Sequence, residues 1–270
     1  MQEGPRGRGA QPFLIAVFGP GGYTKPVRLP VIQGVIDRRI LVNYSVDPDV
    51  LARQLPAPFR PQLVDGRAMA GICLIRMQAL RPLYMPAFVG MSSENAAHRI
   101  AVEWDQDGDR KSGVYIPRRD TDSRLAGLLG GRAFPGVHHL ADFVVEETGD
   151  AYSVRMRGRD GTTHVEVSGV RTDRFAEGSV FDSLSAASCF YEAGSLGYSD
   201  TRTAGRYDGL ELRVPRWEAH ALDTREVRSS FFDDPTRFPP GSVRFDCALL
   251  MRDTAHTWHE REDLLAEQAV

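Results

Sequence analysis

Lysine is nearly missing from this chain. Of 33 basic residues only Lys25 and Lys111 are lysines, and 33 − 2 leaves 31 arginines. Arginine stays protonated and forms no Schiff base, so amine chemistry has those two positions and no others. Cysteine is also sparse. Cys73, Cys189 and Cys247 lie far apart in apolar stretches. That spacing matches neither a disulfide framework nor a zinc site, and it suits a reducing, cytoplasmic setting. Long hydrophobic runs are missing too. The apolar stretch at residues 13–18 is too short to span a bilayer, and no secretory signal surrounds it. Excess charge is the last absence. A net charge of −3 and a pI of 6.2 argue against nucleic acid or an anionic membrane as partner, since both select clustered basic residues.

Several catalytic signatures fail on spacing. GPGGYTK at residues 19–25 lacks the GxxxxGK[ST] register and has no strand–helix frame. GSLGYS at residues 194–199 is not a GxSxG nucleophile elbow, and HExxH does not occur. His256 and His259 share a face only if their segment is helical; on a strand they point opposite ways, and the ordinary reading is a solvated segment. No metal and no cofactor is expected.

What remains is the pattern of a β-rich domain. The chain has 270 residues, 42% hydrophobic and 26% charged, ordinary for a globular protein. Residues 1–30 are rich in Gly, Pro and Arg and read as a flexible arm. A single domain is expected over 31–260, with 261–270 as a tail. RILVNYS at 39–45 is a strand pattern, followed by a short helix over 48–55 capped by Asp47 with Pro48 at its first position. AMAGICLIRM at 68–77 is apolar on both faces, as a covered strand is. RIAVEW at 99–104 alternates, a polar turn holds Lys111, and residues 113–117 return as a strand. A helix over 122–129 ends at Gly130-Gly131. Strands at 140–147, 151–157 and 163–170 are separated by Gly-Asp and Asp-Gly turns. A helix is expected over 181–192, then loop through 208, then strands at 210–214, 217–221, 226–232 and 242–250. The fold class is mainly β: an antiparallel, cone-like barrel or large curved sheet with two or three short packed helices.

Charged and aromatic side chains gather around residues 94–140. Arg99, Arg118, Arg119 and Arg132 stand near Glu94, Glu103 and Asp120. An inward arginine needs a negative partner, because an unpaired buried charge is very unfavourable. Two accounts stay open: internal ion pairs, or a bidentate clamp for a ligand carboxylate. His138 and His139 are adjacent, so one faces inward, where structure or acid–base contact are the alternatives.

With these residues named, a resemblance follows. RILVNYS, LPAPFRP, VDGRAMAGICLIRM, RIAVE, SGVYIPRR, LAGLLGGRAFPGVHHLADF and FYEAGSLGYS resemble the acetoacetate decarboxylase-like superfamily, in its YqjF-like branch, over residues 35–255. The resemblance implies a cone-shaped β-barrel with an enclosed, largely apolar pocket, often in a homo-oligomer. Decarboxylases of that superfamily carry a lysine pair where this chain has Arg118-Arg119, so an imine is excluded at those positions. Lys111 lies in a turn and is no substitute, and the family glutamate falls near Glu94. The expected ligand is a small anionic acid or polyketide-like compound. Arg118, Glu94 and His138 are the candidate catalytic residues; Arg99, Tyr115, Arg119, Arg132 and Tyr198 are the candidate ligand contacts. The competing reading is a non-catalytic barrel whose arginines close internal ion pairs.

Overall fold

The computed structural model describes residues 30–124 and 136–266. The N-terminal arm with Lys25, residues 125–129 of the helix expected over 122–129, and Arg132 lie outside those residues. Among the described residues thirteen strands form one sheet. In chain order they are β1 (Ile32–Val46), β2 (Arg60–Pro61), β3 (Leu63–Val64), β4 (Arg67–Pro82), β5 (Met91–Gln106), β6 (Asp109–Thr121), β7 (His138–Thr148), β8 (Ala151–Gly158), β9 (His164–Thr172), β10 (Leu196–Asp200), β11 (Arg206–Arg213), β12 (His220–Ser229) and β13 (Val243–Leu265). Helix α1 (Pro48–Ala52) follows β1, and α2 (Leu184–Ala193) precedes β10. The mainly-β architecture is as expected. The sheet is mixed, not wholly antiparallel, because β6 runs parallel to both β7 and β10.

Short-range chemistry sets the helices. The Asp47 carboxylate accepts from the amides of Asp49 and Val50, and Pro48 opens α1. The helix stops at Ala52, earlier than expected, where Arg53 caps it ahead of Pro56 and Pro58. Ser183 caps α2 through the Ala186 amide, and Gly194 follows its end. Ala187 and Tyr191, one turn apart, form its buried face.

The strands close into two hydrogen-bonded rings. One runs β5–β6–β7–β8–β9–β12–β13–β1–β4 and back to β5; the other replaces β7, β8, β9 and β12 by β10 and β11. They share the wall β13–β1–β4–β5–β6. Alternation sends neighbouring wall residues into different rings. The first ring holds Ile40, Val42, Ile72, Leu74, Ile100, Val154 and Val167 in one apolar cluster. The second holds Leu41, Cys73, Ile75, Ala101, Tyr191 and Leu212 in another.

Several segments extend beyond their expected patterns: β1 begins at Ile32, β5 at Met91, and β6 runs from Asp109 to Thr121. The tyrosine-rich stretch expected as loop supplies β10 and the start of β11. The last strand runs through Leu265, because β11 pairs with it from Arg213↔Thr257 to Arg206↔Leu265. In that strand His256 is buried while His259 lies on the other face, the parity that strand geometry requires.

One charged row crosses the wall inside the first ring. Register sets Arg252, Arg38, Arg76 and Glu94 side by side on β13, β1, β4 and β5. Arg38 has no exposed surface and donates to Glu94 and, at 2.8 Å, to Glu147 across the ring. Arg76 also reaches Glu94, at 2.6 Å, and Arg252 reaches Glu147 at 2.7 Å. Removing one partner of a buried pair leaves a charge uncompensated. Glu94→Ala is expected to lower unfolding free energy by about 3 kcal/mol in urea titrations, whereas Arg159→Ala, in the exposed pair with Asp142, changes it by no more than about 0.5 kcal/mol. Equal effects of the two substitutions contradict this assignment.

Candidate functional site

Inside the second ring lies a cavity of about 110 Å³, to which every strand of that ring contributes a lining residue. Its polar lining includes Arg39 on β1, Asn95 and Arg99 on β5, Arg119 and Asp120 on β6, His138 on β7 and Tyr191 on α2. Ile75, Met77, Val114, Ile116, Leu212 and Trp258 supply most of the apolar walls.

Register explains why these side chains meet. Leu41, Cys73, Ala97 and Arg119 form one row across β1, β4, β5 and β6. Asn43, Gly71 and Arg99 lie in the next-but-one row. Gly71 has no side chain, so Asn43 Oδ1 reaches across it to accept from Arg99 Nη2. A Cβ at Gly71 would sit 3.3 Å from that oxygen and would collide with the Val42 carbonyl. The Arg99 guanidinium lies 4.6 Å from the centre of the Tyr191 ring, a cation–π arrangement.

The charge of the cavity is one-sided. Among the described residues Arg39, Arg99 and Arg119 form no ion pair. Arg39 Nε donates to the Cys73 sulfur at 3.3 Å, and its guanidinium faces Trp217 at 5.2 Å. Arg119 Nε donates to Ser199 Oγ at 2.9 Å. Burial pulls the Arg119 guanidinium down to about 10, with Cys73 and then Asp208 offsetting only part. Burial likewise lowers Arg99. Asp120 is the acidic side chain of the lining, and it is already held by Arg118 at 2.7 Å. The Arg99 Nε and the Tyr191 hydroxyl are buried without hydrogen-bond partners among the described residues. Unmatched donors beside unmatched cations favour an anion with further acceptor oxygens.

The expected site residues therefore divide. Arg99, Arg119 and His138 line the cavity. Arg118 does not line it; its guanidinium is occupied by Asp120, by Asp160 at 2.9 Å and by Thr162 at 3.0 Å. Glu94 faces the first ring within the arginine row. Tyr115 donates to Asp200 at 2.9 Å, and burial followed by Asp200 raises its hydroxyl. Tyr198 packs on Phe59 and Trp104 and donates to the Glu262 carbonyl. Arg132 lies outside the described residues. Arg39, Cys73, Asn95, Tyr191 and Trp258 are lining residues that sequence reasoning did not single out. Strand parity signals one of them: in Arg38-Arg39 the second arginine must face away from the first. Among the described residues no group of His, Cys, Asp and Glu is arranged to hold a metal ion.

The model of the DUF2071 family, described as Uncharacterized conserved protein (COG2071), matches residues 36–242. The chain belongs to this family. No curated protein matches it. Solved structures similar to this DUF2071 chain share the acetoacetate decarboxylase-like fold. Acetoacetate decarboxylase from Legionella pneumophila subsp. pneumophila str. Philadelphia 1 is 12% identical, with 91% of this chain and 93% of that one covered and a TM-score of 0.57. An acetoacetate decarboxylase-like enzyme from Sphingomonas wittichii RW1 is 14% identical, covering 93% and 98%, with a TM-score of 0.54. The enduracididine biosynthesis enzyme MppR complexed with pyruvate is 13% identical, covering 94% and 100%, also with a TM-score of 0.54. At these identities the likeness is one of fold. Among the described residues no helix is long and apolar enough to cross a membrane.

Three histidines of the DUF2071 chain are held neutral. Burial first, then Arg119, lowers His138 to about 4. Burial and Arg39 bring His256 to about 4, and burial with Arg118 and Arg237 brings His98 to about 3. Each has a folded value below the ordinary histidine value of 6.5, so the unfolded chain binds the extra proton first. Stability is therefore full above pH 6.5 and falls as pH drops from there toward the folded values. Between pH 7 and 5.5 the loss is about 1 kcal/mol for each histidine. Denaturant midpoints measured across that interval check this, and His98→Phe should flatten the slope by one proton. An unfolding free energy that stays level from pH 7 to 5.5 contradicts it.

Proposed function

We propose that the second ring binds, and acts on, a small carboxylic or keto acid. The observation that carries this reading is the set of three cavity arginines that form no ion pair with a carboxylate among the described residues. A protein gains nothing in stability from buried cations left unpaired. A ligand carboxylate supplies the missing charge, with Arg119 and Arg99 as the clamp in place of Arg118. The cavity is somewhat smaller than one of about 150 Å³ that admits benzene, which limits the acid to roughly three to five carbons. The bound pyruvate of the fold relative MppR is of that size class. A non-catalytic barrel closed by internal ion pairs describes the first ring better than the second.

We further propose that the site works without an imine. The described lining contains no lysine, and Lys111 stands in the β5–β6 hairpin against Asp109 at 2.9 Å. Lys25 lies outside the described residues. His138, neutral at physiological pH, is the lining group suited to accept a proton, and Tyr191 is suited to donate a hydrogen bond.

Thermal unfolding with a panel of short carboxylates tests the reading. A ligand at a hundredfold its Kd stabilises by about 2.7 kcal/mol. Wild type and Arg118→Ala are expected to show the same rise in Tm, and Arg119→Ala to lose most of it. Without ligand, Arg119→Ala should unfold no earlier than wild type, because it removes an uncompensated cation. An acid that stabilises wild type and Arg119→Ala equally removes the clamp.

A further inference from the structure

Cys73 lines the same cavity as Arg39, Arg99 and Arg119. In the wall register it lies beside Leu41 on β1 and Ala97 on β5, with Arg119 beyond Ala97. Arg39 and Arg99 stand one inward-facing step away, opposite Ile75 and Gly71. Arg39 Nε already donates to the sulfur at 3.3 Å, and both Arg99 and Arg119 are within electrostatic reach of it. Ala97 is the smallest chiral side chain that could separate Cys73 from Arg119, so the space between thiol and guanidinium stays open. A thiol that accepts from one guanidinium, with two more in the same cavity lining, is supported when negative charge moves from its sulfur to a bound carbonyl oxygen. The same cavity holds a second sign of a ligand: the Tyr191 hydroxyl, on a residue only 5% exposed, has no hydrogen-bond partner among the described residues. The other two cysteines differ. Cys247 is wholly buried beside Asn43, and Cys189 is exposed on α2.

We propose that Cys73 is the nucleophile of this cavity and adds reversibly to the carbonyl carbon of a short 2-oxo acid. This rests on the anion-binding reading above. The sulfur forms a bond to the carbonyl carbon, and the π pair of that carbonyl moves onto its oxygen. The proton released by the thiol ends on that oxygen, giving a thiohemiketal; nothing is oxidised or reduced, and no group leaves. Arg119 and Arg99 hold the carboxylate, and the Tyr191 hydroxyl donates a hydrogen bond to the oxygen on which charge collects. The arrangement places electrophile and thiol together without a lysine.

Paired alkylation tests the assignment. Iodoacetate carries a carboxylate, and iodoacetamide is its neutral counterpart. Peptide mass spectrometry on intact protein is expected to show Cys73 alkylated about tenfold faster by iodoacetate, with pyruvate slowing the reaction and exposed Cys189 showing no such preference. Pyruvate labelled at its carbonyl carbon is expected to give a protein-bound tetrahedral-carbon resonance that Cys73→Ala lacks. Cys73 alkylated no faster by iodoacetate, or the same resonance in Cys73→Ala, overturns the nucleophile. If pyruvate raises the Tm of wild type while Cys73 stays unlabelled, the nucleophile falls and the anion cavity stands. If pyruvate neither stabilises nor protects, both fall.

Discussion

A guanidinium with no surface in water must find its counter-charge inside the protein, and Arg38 does so with two carboxylates at once. That requirement ties β7 to the wall. Glu147 reaches Arg38, Arg76 and Arg252 across the first ring, while Glu94 joins Arg38 to Arg76 along it. The partners keep charge near balance on that face. Among the described residues the opposite face of the same wall has no such arrangement. Three adjacent pairs straddle the sheet: Arg38-Arg39, His98-Arg99 and Arg118-Arg119. In the two arginine pairs the first member is neutralised by carboxylates and the second faces the cavity without one. One side of the wall is thus built for stability, and the other keeps an unmet electrostatic demand.

The shared wall makes this division possible. A sheet covered on one face buries one set of alternating residues; a sheet covered on both buries two. The run AMAGICLIRM is apolar at both parities because Ile72 and Leu74 serve one ring while Cys73 and Ile75 serve the other. Small residues fall where the second ring needs room. Gly71 lets Asn43 reach Arg99, and Ala97 opens the space beside Cys73. Helix α2 then closes the chamber by laying Tyr191 under Arg99.

Much of the β architecture was legible from alternation and turn chemistry, as the β7–β8–β9 meander shows. The residues around 194–208 were less so. Glycine and tyrosine there suggest a loop, but pairing with β6 and β13 makes them β10 and the start of β11. Such pairing is decided by distant partners, which local propensity does not contain. The parallel contacts of β6 escaped for the same reason. At the site, Arg99, Arg119 and His138 were visible as charged groups on β-type runs. Arg118 and Glu94 were visible too, but as residue types only; their parity and their partners Asp160 and Arg38 are tertiary facts. Tyr191 lay in a recognised helix, and nothing in the helix itself says that its ring meets an arginine from β5.

The pairing of β1 with β13 has a consequence for synthesis. Ile32 is paired in register with Trp258, so β1 leaves the ribosome more than two hundred residues ahead of the strand it waits for. Neither chamber can shut before that final strand arrives, since β13 is a member of both. Until then the chain carries an open, apolar edge, and closure is a long-range event of high contact order. The same strand is the latch of both rings, so a chain cut short before it leaves both of them open.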